Sequence, residues 1–240
     1  MRKPWLPRPI NKTGQSNTIE NDMPYLRKVP YPDGTHIYLW ELNESPAELT
    51  AQCKRRGLKT LGLRPSMARS RQCELLVESL LLHIIFGEPV ELRHLPSGQP
   101  YVTSHHDVHI SVSHTHSLVC VAINAHHRIG IDVETRGTRV LRVRDKFLSA
   151  AEQQFVAPGD TDSHLVAWTA KEALYKAHGQ AGVSLTADLS LEPFKPLGGG
   201  TLTLHAHCQG EKYELRTTAW SDHMITLAYR VADIENIEKT

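Results

Sequence analysis

The stretch Ile129-Gly130-Ile131-Asp132-Val133-Glu134 alternates between apolar and acidic residues. Successive side chains of a β-strand point to opposite faces of its sheet, so the stretch predicts a strand with one apolar and one acidic face. Adjacent carboxylates repel unless a cation or solvent offsets their charge, and Mg²⁺ prefers hard oxygen ligands. Asp132 and Glu134 are therefore candidate metal ligands, and Gly130 would leave space for a close ligand. A solvated strand face is the alternative.

Helix followed by strands occurs twice around this stretch. In the first round, apolar residues at helical spacing between Leu75 and Ile85 precede β-like runs at 108–112, 118–123 and 129–134. In the second, helices over 140–147 and 163–177 accompany β-like runs at Leu185, Leu202, Tyr213 and Ile225. We therefore predict an α+β fold of two pseudo-twofold-related lobes, residues 36–136 and 137–240. Residues 1–35, which lack hydrophobic periodicity, read as an extended or disordered arm.

The segment WTAKEALYK, residues 168–176, has the spacing of a helix with two functional faces. Val166, Ala170, Ala173 and Ala177 would form a buried stripe, and Trp168, Glu172 and Lys176 would share a neighbouring face. Lys171 adds a second cation, an arrangement suited to a diphosphate and its metal. The alternative is an ordinary Glu172–Lys176 surface pair with Trp168 as packing.

Two shorter motifs are compatible with either a structural or a functional role. Ser149 and Glu152 have the spacing of a capping box at a helix start. Ser113 and His114 follow a predicted strand, where a hydroxyl and an imidazole could bind phosphate oxygens.

Composition limits the function classes. The 240 residues carry a formal net charge of +1, so no global charge marks a nucleic-acid or membrane-surface protein. The apolar window Leu75–Phe86 is too short for a membrane span, and the four scattered cysteines predict a reducing cytoplasm rather than a zinc ribbon or a disulfide framework. No GxSxG, GxGxxG or P-loop motif occurs. Histidines at 105, 106 and 109 or at 126 and 127 leave a transition-metal site as a weaker alternative.

Five motifs in order resemble the 4′-phosphopantetheinyl transferases, and in particular their larger, two-lobed, surfactin-synthetase-activating type. They are GQP at 98–100, SVSHT at 111–115, GIDVE at 130–134, FLSAAE at 147–152 and WTAKEALYK at 168–176. The resemblance covers roughly residues 61–179, and the ordered set is more specific than any single motif.

The resemblance implies coenzyme A as co-substrate, held in a cleft between the lobes. It implies Mg²⁺ on Asp132, Glu134 and Glu172, with Lys176 on the phosphates and His114, with Ser113, on the 3′-phosphate. Glu152 or Glu172 would take the proton from the serine of an apo carrier protein. Lys171 and Gln99 fall within the matched motifs as further coenzyme A contacts.

The chain also departs from the family pattern. Gln99 stands where lysine is common, Glu78 where arginine is common, and Ser111 and Thr115 flank the histidine motif in place of asparagine and serine. A non-catalytic coenzyme A-binding or carrier-interacting protein is therefore the alternative function. Arg139, Arg142 and Lys146, at helical spacing, would dock an acidic carrier. A monomer is expected, because the cleft would form within one chain.

Overall fold

Helices and strands follow each other in mixed α/β order in a computed structural model, which describes residues 26–59, 62–64, 66–198 and 200–237. The strands are β1 Leu26–Pro30, β2 His36–Glu41, β3 Leu92–His94, β4 Pro100–Val102, β5 His109–His114, β6 Leu118–Asn124, β7 Ile129–Thr135, β8 Leu189–Leu191, β9 Thr201–Cys208, β10 Glu211–Trp220 and β11 His223–Arg230. The α-helices are α1 Pro46–Arg55, α2 Arg69–Phe86, α3 Thr161–His178 and α4 Val231–Ile237. Residues 1–25 of the predicted arm lie outside the described residues, and residues 26–30 of it form β1.

The first sheet has four antiparallel strands in the order β1-β2-β6-β5. Helices α1 and α2 pack on it around an apolar cluster that includes Trp40, Leu76 and Val121. A capping box between Ser45 and Glu48 begins α1, because each residue's side chain satisfies a backbone N–H that the helix leaves unpaired. The sheet and its two helices thus bury an apolar core of their own.

The second sheet has five strands in the order β7-β11-β10-β9-β8. Helix α3 packs across it, and its predicted stripe is buried, with Val166, Ala170 and Ala173 at 0% exposure. The Asp160 side chain caps the first turn of α3, and Gly179 ends the helix with a φ of 70°, a left-handed conformation that favours glycine. The predicted helix over 163–177 is therefore confirmed, with one to two further residues at either end.

The two sheets meet along β5 and β7. The apolar face of β7, Ile129, Ile131 and Val133, packs into a cluster with side chains from β2 and β6, as the alternation predicted. The backbone N–H of Ile131 donates to Ser111 Oγ at 3.0 Å, and the N–H of Val133 donates to Ser113 Oγ at 3.2 Å. Serine hydroxyls therefore accept from backbone N–H groups along the edge of β7 that is not paired with another of the described strands.

Two local predictions differ from the structure. Residues 138–146 form a 3₁₀ helix rather than an α-helix, and only Val140 of this segment is buried, so packing gives little support to a regular α-helix. The β-like run at Leu185 is a turn closed by hydrogen bonds between Ser184 and Asp188, and the strand comes later, at Leu189–Leu191. Among the helices described, none combines the length and apolar character needed to cross a bilayer.

Candidate active site

Helix α3 lies over the acidic face of β7 and binds both of its carboxylates. Lys176 Nζ lies 2.9 Å from Asp132 Oδ1 and donates to the carbonyl of Ile131 at the same distance. About two turns before it, the indole N–H of Trp168 donates to Glu134 Oε1 at 2.7 Å. The shared face predicted for Trp168, Glu172 and Lys176 therefore meets the predicted face of β7.

The carboxylates at this face influence one another's ionisation. Burial raises the pKa of Glu172, and the negative charges of Asp132 and Glu134 raise it further, against the opposing charge of Lys176. Burial and the charge of Asp132 likewise raise the pKa of Glu134, while the Trp168 hydrogen bond and the cations Lys176 and Arg139 oppose the rise. Asp132, Glu134 and Glu172 thus lie close enough to form one electrostatic group.

This group has the chemistry that a divalent cation requires. Asp132 is only 6% exposed, and its Oδ2 has no hydrogen-bond partner among the described residues, although a buried unpaired oxygen is costly. All three side chains offer hard oxygen ligands, and a cation would relieve their mutual repulsion. Over the part of the chain that the structure describes, no three metal-ligating side chains form a ready-made ion cage. The residues fit Mg²⁺ by donor type and by the unpaired Oδ2.

Glu152 and Lys171 lie apart from this group, paired with each other. Lys171 Nζ lies 2.6 Å from Glu152 Oε2 and donates to the carbonyls of Leu185 and Leu189. Glu152 accepts in addition from the backbone N–H groups of Ser149 and Leu191. Both side chains are at most 2% exposed. The structure therefore shows both groups in a buried pair, and the coenzyme A contact of Lys171 and the base role of Glu152 stay predictions.

The Ser149–Glu152 pairing itself has the reciprocal hydrogen bonds of the predicted capping box. The turn that follows it, Glu152–Gln154, is a single 3₁₀ turn and not an α-helix. The carboxylate therefore serves local structure on one side and the Lys171 ion pair on the other.

The predicted coenzyme A contacts Ser113, His114 and Gln99 lie at two places. Ser113 Oγ donates to Asp132 Oδ1 at 2.9 Å, so this hydroxyl orients a carboxylate in the structure. His114, next to it, has a side chain that is 39% exposed. Gln99 lies beside the end of α3, where its Oε1 would be 3.2 Å from a Cβ on Gly179.

His114 contacts two charged residues of α2 that are not among the predicted site residues. Arg71 Nη1 lies 3.1 Å from His114 Nε2, and Glu74 Oε2 lies 3.4 Å from His114 Nδ1. Burial lowers the pKa of His114. The sequence could have indicated these neighbours, because Arg71, Glu74 and Glu78 are spaced by three and four residues and so share one face of a helix.

The expectation that Gly130 makes room for a ligand is wrong. A Cβ at this position would lie 1.9 Å from the carbonyl oxygen of Ala173 and 2.5 Å from the backbone nitrogen of Ala177. Glycine is needed because the backbone of α3 itself occupies the space.

A separate cavity of about 390 Å³ lies at the C-terminal end of α3. Its lining includes Arg128, His178 and Arg230, and none of the carboxylates described above lines it. His178, Tyr213 and Glu211 are joined there by hydrogen bonds. The convergence of carboxylates and lysine, and not this cavity, marks the candidate active site.

Two of the histidines considered for a transition-metal site contact a carboxylate. His105 lies 3.0 Å from Glu88, and His127 lies 3.3 Å from Asp33 in a buried pair. These contacts join loops of the fold.

Comparison with known proteins identifies the segment that carries the carboxylates and Lys176. No curated protein matches the chain. Residues 128–230 match the family model described as the 4′-phosphopantetheinyl transferase superfamily. The match confirms the resemblance at the level of the superfamily, while the two-lobed subtype stays a prediction. The chain contains a 4′-phosphopantetheinyl transferase superfamily domain at residues 128–230.

Proposed function

We propose that the chain transfers the 4′-phosphopantetheine arm of coenzyme A to a serine of an apo carrier protein of the acyl, peptidyl or polyketide type. The products would be the holo carrier and adenosine 3′,5′-bisphosphate. A domain of this superfamily implies phosphopantetheine transfer in general terms. The observation that carries the proposal is the convergence of Asp132, Glu134, Glu172 and Lys176 from β7 and α3 within the matched segment.

Asp132, Glu134 and Glu172 would hold Mg²⁺, which fits their oxygen donors and the unpaired Asp132 Oδ2. When bound, the ion would offset the negative charge of the diphosphate. Ser113 and Trp168 hold Asp132 and Glu134 by one oxygen each and so restrict the rotation of both side chains.

Lys176 supplies a cation to the phosphates and Glu172 accepts the proton in this proposal. The Lys176 ammonium lies at the junction of the two sheets, and its contact with Asp132 places it beside the carboxylates. Glu172 is the preferred base because burial and its acidic neighbours raise its pKa, which improves proton acceptance near neutral pH. Its carboxylate would take the serine proton as the serine oxygen bonds to the β-phosphorus and the bond to the bridging oxygen breaks.

The proposed binding place is a cleft between two lobes, residues 36–136 and 137–240. The first lobe would contribute β2, β5 and β6 of the first sheet and the edge strand β7 of the second sheet, and the second lobe would contribute β8 to β11. The nucleotide end of coenzyme A would lie toward His114, and Gln99 would border the cleft near the end of α3. Because both walls belong to one chain, we propose that the protein acts as a monomer. Nucleic acid has no part in the proposed reaction.

The decisive experiment incubates the protein with coenzyme A, Mg²⁺ and a panel of apo carriers from fatty-acid, polyketide and peptide synthesis. We expect the mass of at least one carrier to increase by one phosphopantetheine group. Replacing Glu172 with Gln should reduce kcat at least about a hundredfold, since it removes a base and a metal ligand together. The exposed variant Lys195→Gln is the matched control and should retain full activity.

Failure of all carriers, with coenzyme A still bound, would contradict transfer and favour the alternative, a non-catalytic coenzyme A-binding or carrier-interacting protein. Mg²⁺ binding supplies a readout that is independent of turnover. Calorimetry should detect Mg²⁺ binding to the parent protein that is weakened in Glu134→Gln.

The carrier surface in this proposal is the 3₁₀ segment Thr138–Lys146, in which Arg139, Arg142 and Lys146 are exposed. Arg139 is close enough to the site for its charge to act on Glu134. The segment therefore extends a positive surface from the carboxylates outward, toward which an acidic carrier would be attracted.

Replacing Arg142 and Lys146 with Glu should raise the carrier KM about tenfold or more, because reversal converts attraction to repulsion. The dissociation constant for coenzyme A should not change. The double reversal of Lys195 and Lys212 to Glu makes the same change in total charge elsewhere and should have little effect. An unchanged carrier KM in the first variant would contradict docking at this segment.

A further inference from the structure

The part of α2 that faces His114 is acidic where a binding place for a phosphate group should be basic. Glu74 and Glu78 lie one helical turn apart, and Glu74 is 8% exposed. Glu74 contacts both nearby cationic candidates, Arg71 at 2.9 Å and His114 at 3.4 Å. Carboxylates therefore line the place to which the proposed function assigns the nucleotide end of the donor.

The hydrogen bonds show that His114 contributes no positive charge in this arrangement. A guanidinium can only donate, so His114 Nε2 must accept from Arg71. The ring proton then lies on Nδ1, which is 3.4 Å from Glu74 Oε2. An imidazole with one accepting nitrogen is neutral.

The remaining charges cancel or leave an excess of negative charge. Arg71 is matched by Glu74, and the half-buried Glu78 adds a second carboxyl. Burial and the charge of Glu74 raise the pKa of Glu78, and the charge of Arg71 opposes this rise. Moving Arg71 to a ligand would leave the Glu74 carboxylate buried without its partner, which is costly.

A phosphate monoester carries between one and two negative charges at neutral pH, whereas a ribose hydroxyl carries none. Carboxylates accept hydrogen bonds from ribose hydroxyls and repel phosphate. We propose that the chain uses 3′-dephospho-coenzyme A at least as efficiently as coenzyme A, with Glu74 and Glu78 as the residues that set this preference. The proposal rests on the proposed transfer function and specifies its donor.

The step balances with either donor. The serine oxygen bonds to the β-phosphorus, the bond from that phosphorus to the bridging oxygen breaks, and the serine proton passes to Glu172. With 3′-dephospho-coenzyme A the leaving group is adenosine 5′-monophosphate, and the modified carrier has the same mass as with coenzyme A.

The test measures kcat/KM for both donors with the same carrier and Mg²⁺ concentration. We expect a ratio of dephospho to phosphorylated donor of one or more. Glu74→Gln and Glu78→Gln should each shift the ratio about tenfold toward coenzyme A, because each removes a repelling charge. Glu91→Gln, at an exposed pair with Arg93, should leave the ratio unchanged. A ratio below one for the parent protein, which is a preference for coenzyme A, would overturn the proposal.

A binding measurement keeps this inference separate from the proposed function. Calorimetry should give adenosine 5′-monophosphate a dissociation constant equal to or below that of adenosine 3′,5′-bisphosphate. Tighter binding of the bisphosphate would overturn the inference even if transfer succeeds. Absence of transfer from both donors would contradict the proposed function, and the ratio of the two nucleotide dissociation constants would still decide the preference at the site. Because Glu78 is less buried than Glu74, its variant provides the comparison if Glu74→Gln fails to fold.

Discussion

At the residue scale, Lys171 and Glu152 form an ion pair in which both side chains are at most 2% exposed. The pair ties α3 to the turn at Ser149–Glu152 and to the loop that leads into β8. Burial lowers the pKa of Lys171, and the contact with Glu152 opposes that effect, so the ammonium depends on its partner for its charge. Adjacent residues of an α-helix point about 100° apart. Lys171 therefore contacts Glu152 in the interior, while Glu172 lies near Asp132 and Glu134.

We expect Lys171→Met to lower the free energy of unfolding by about 3–5 kcal/mol, because it leaves the Glu152 carboxylate buried and unpaired. Urea denaturation followed by circular dichroism measures the change. Combining it with Glu152→Leu should recover much of the loss. Lys212→Met, which removes a half-exposed pair with Glu192, is the control and should cost less than about 1 kcal/mol. Equal losses in the two lysine variants would contradict the structural role.

At the element scale, the approach of α3 to β7 decides whether the site assembles. The Gly130 position allows helix backbone and strand backbone to meet without an intervening side chain. This close approach brings Lys176 within reach of Asp132 and Trp168 within reach of Glu134. A larger residue at position 130 would therefore affect stability and the carboxylate contacts together.

Gly130→Ala should lower the free energy of unfolding by at least about 2 kcal/mol, because the clash is with backbone atoms that cannot rotate away. Gly137→Ala is the matched control, since a Cβ there meets nothing within 4 Å and its φ of 168° is extended backbone. The control should change stability by less than about 0.5 kcal/mol. Thermal and urea unfolding of both variants test the prediction, and equal stability of Gly130→Ala and the parent would refute it.

At the scale of the whole molecule, a buried network joins the turn after β1 to the turn before β7. His127 Nε2 lies 3.3 Å from Asp33 Oδ2, with both side chains at most 2% exposed. The Asn124 side chain donates to the Asp33 carbonyl and to Thr35 Oγ1. The Tyr229 ring of β11 lies 5.7 Å from the His127 ring, so the network also contacts the second sheet.

The network should make stability depend on pH. Burial opposes protonation of His127, but hydrogen bonds to Asp33 and to the Arg128 carbonyl outweigh it and raise the pKa of His127. Because this pKa is raised, the pair stabilises the fold fully below the pKa of histidine in the unfolded chain, about 6.5. This stabilisation is lost as the pH rises through the pKa of His127 in the folded protein. Burial also disfavours the charged form of Asp33, yet its hydrogen bonds prevail and lower its pKa, so its contribution is lost in acid.

Between pH 6 and 9 the free energy of unfolding of the parent protein should therefore fall by about 1 kcal/mol or more relative to that of Asp33→Asn. Urea denaturation at half-unit pH intervals measures the difference. Glu192→Gln, which removes a half-exposed partner of His207, is the control and should follow the parent curve. Parallel curves for the parent and Asp33→Asn would show that the buried pair is not the source of pH dependence.

Sequence periodicity was sufficient for the parts of the site that lie on one element. The strand alternation placed Asp132 and Glu134 on one face, and helical spacing placed Trp168, Glu172 and Lys176 together. The predicted bounds of this helix, 163–177, lie within two residues of the observed ends of α3. These features depend on contacts between residues near each other in the chain, which the local sequence specifies.

Tertiary structure alone decided which of these side chains meet. The Trp168–Glu134 bond joins residues 34 positions apart, and the Arg71–His114 contact joins residues 43 positions apart. In the packed structure Lys171 is buried, and the backbone of α3 occupies the space beside Gly130. Residues 138–146 form a 3₁₀ helix. The sequence by itself determined the chemistry on each face of β7 and α3. Only the packed structure decided which charges are free for a ligand and which are neutralised, because charge pairing depends on distance in space and not on separation along the chain.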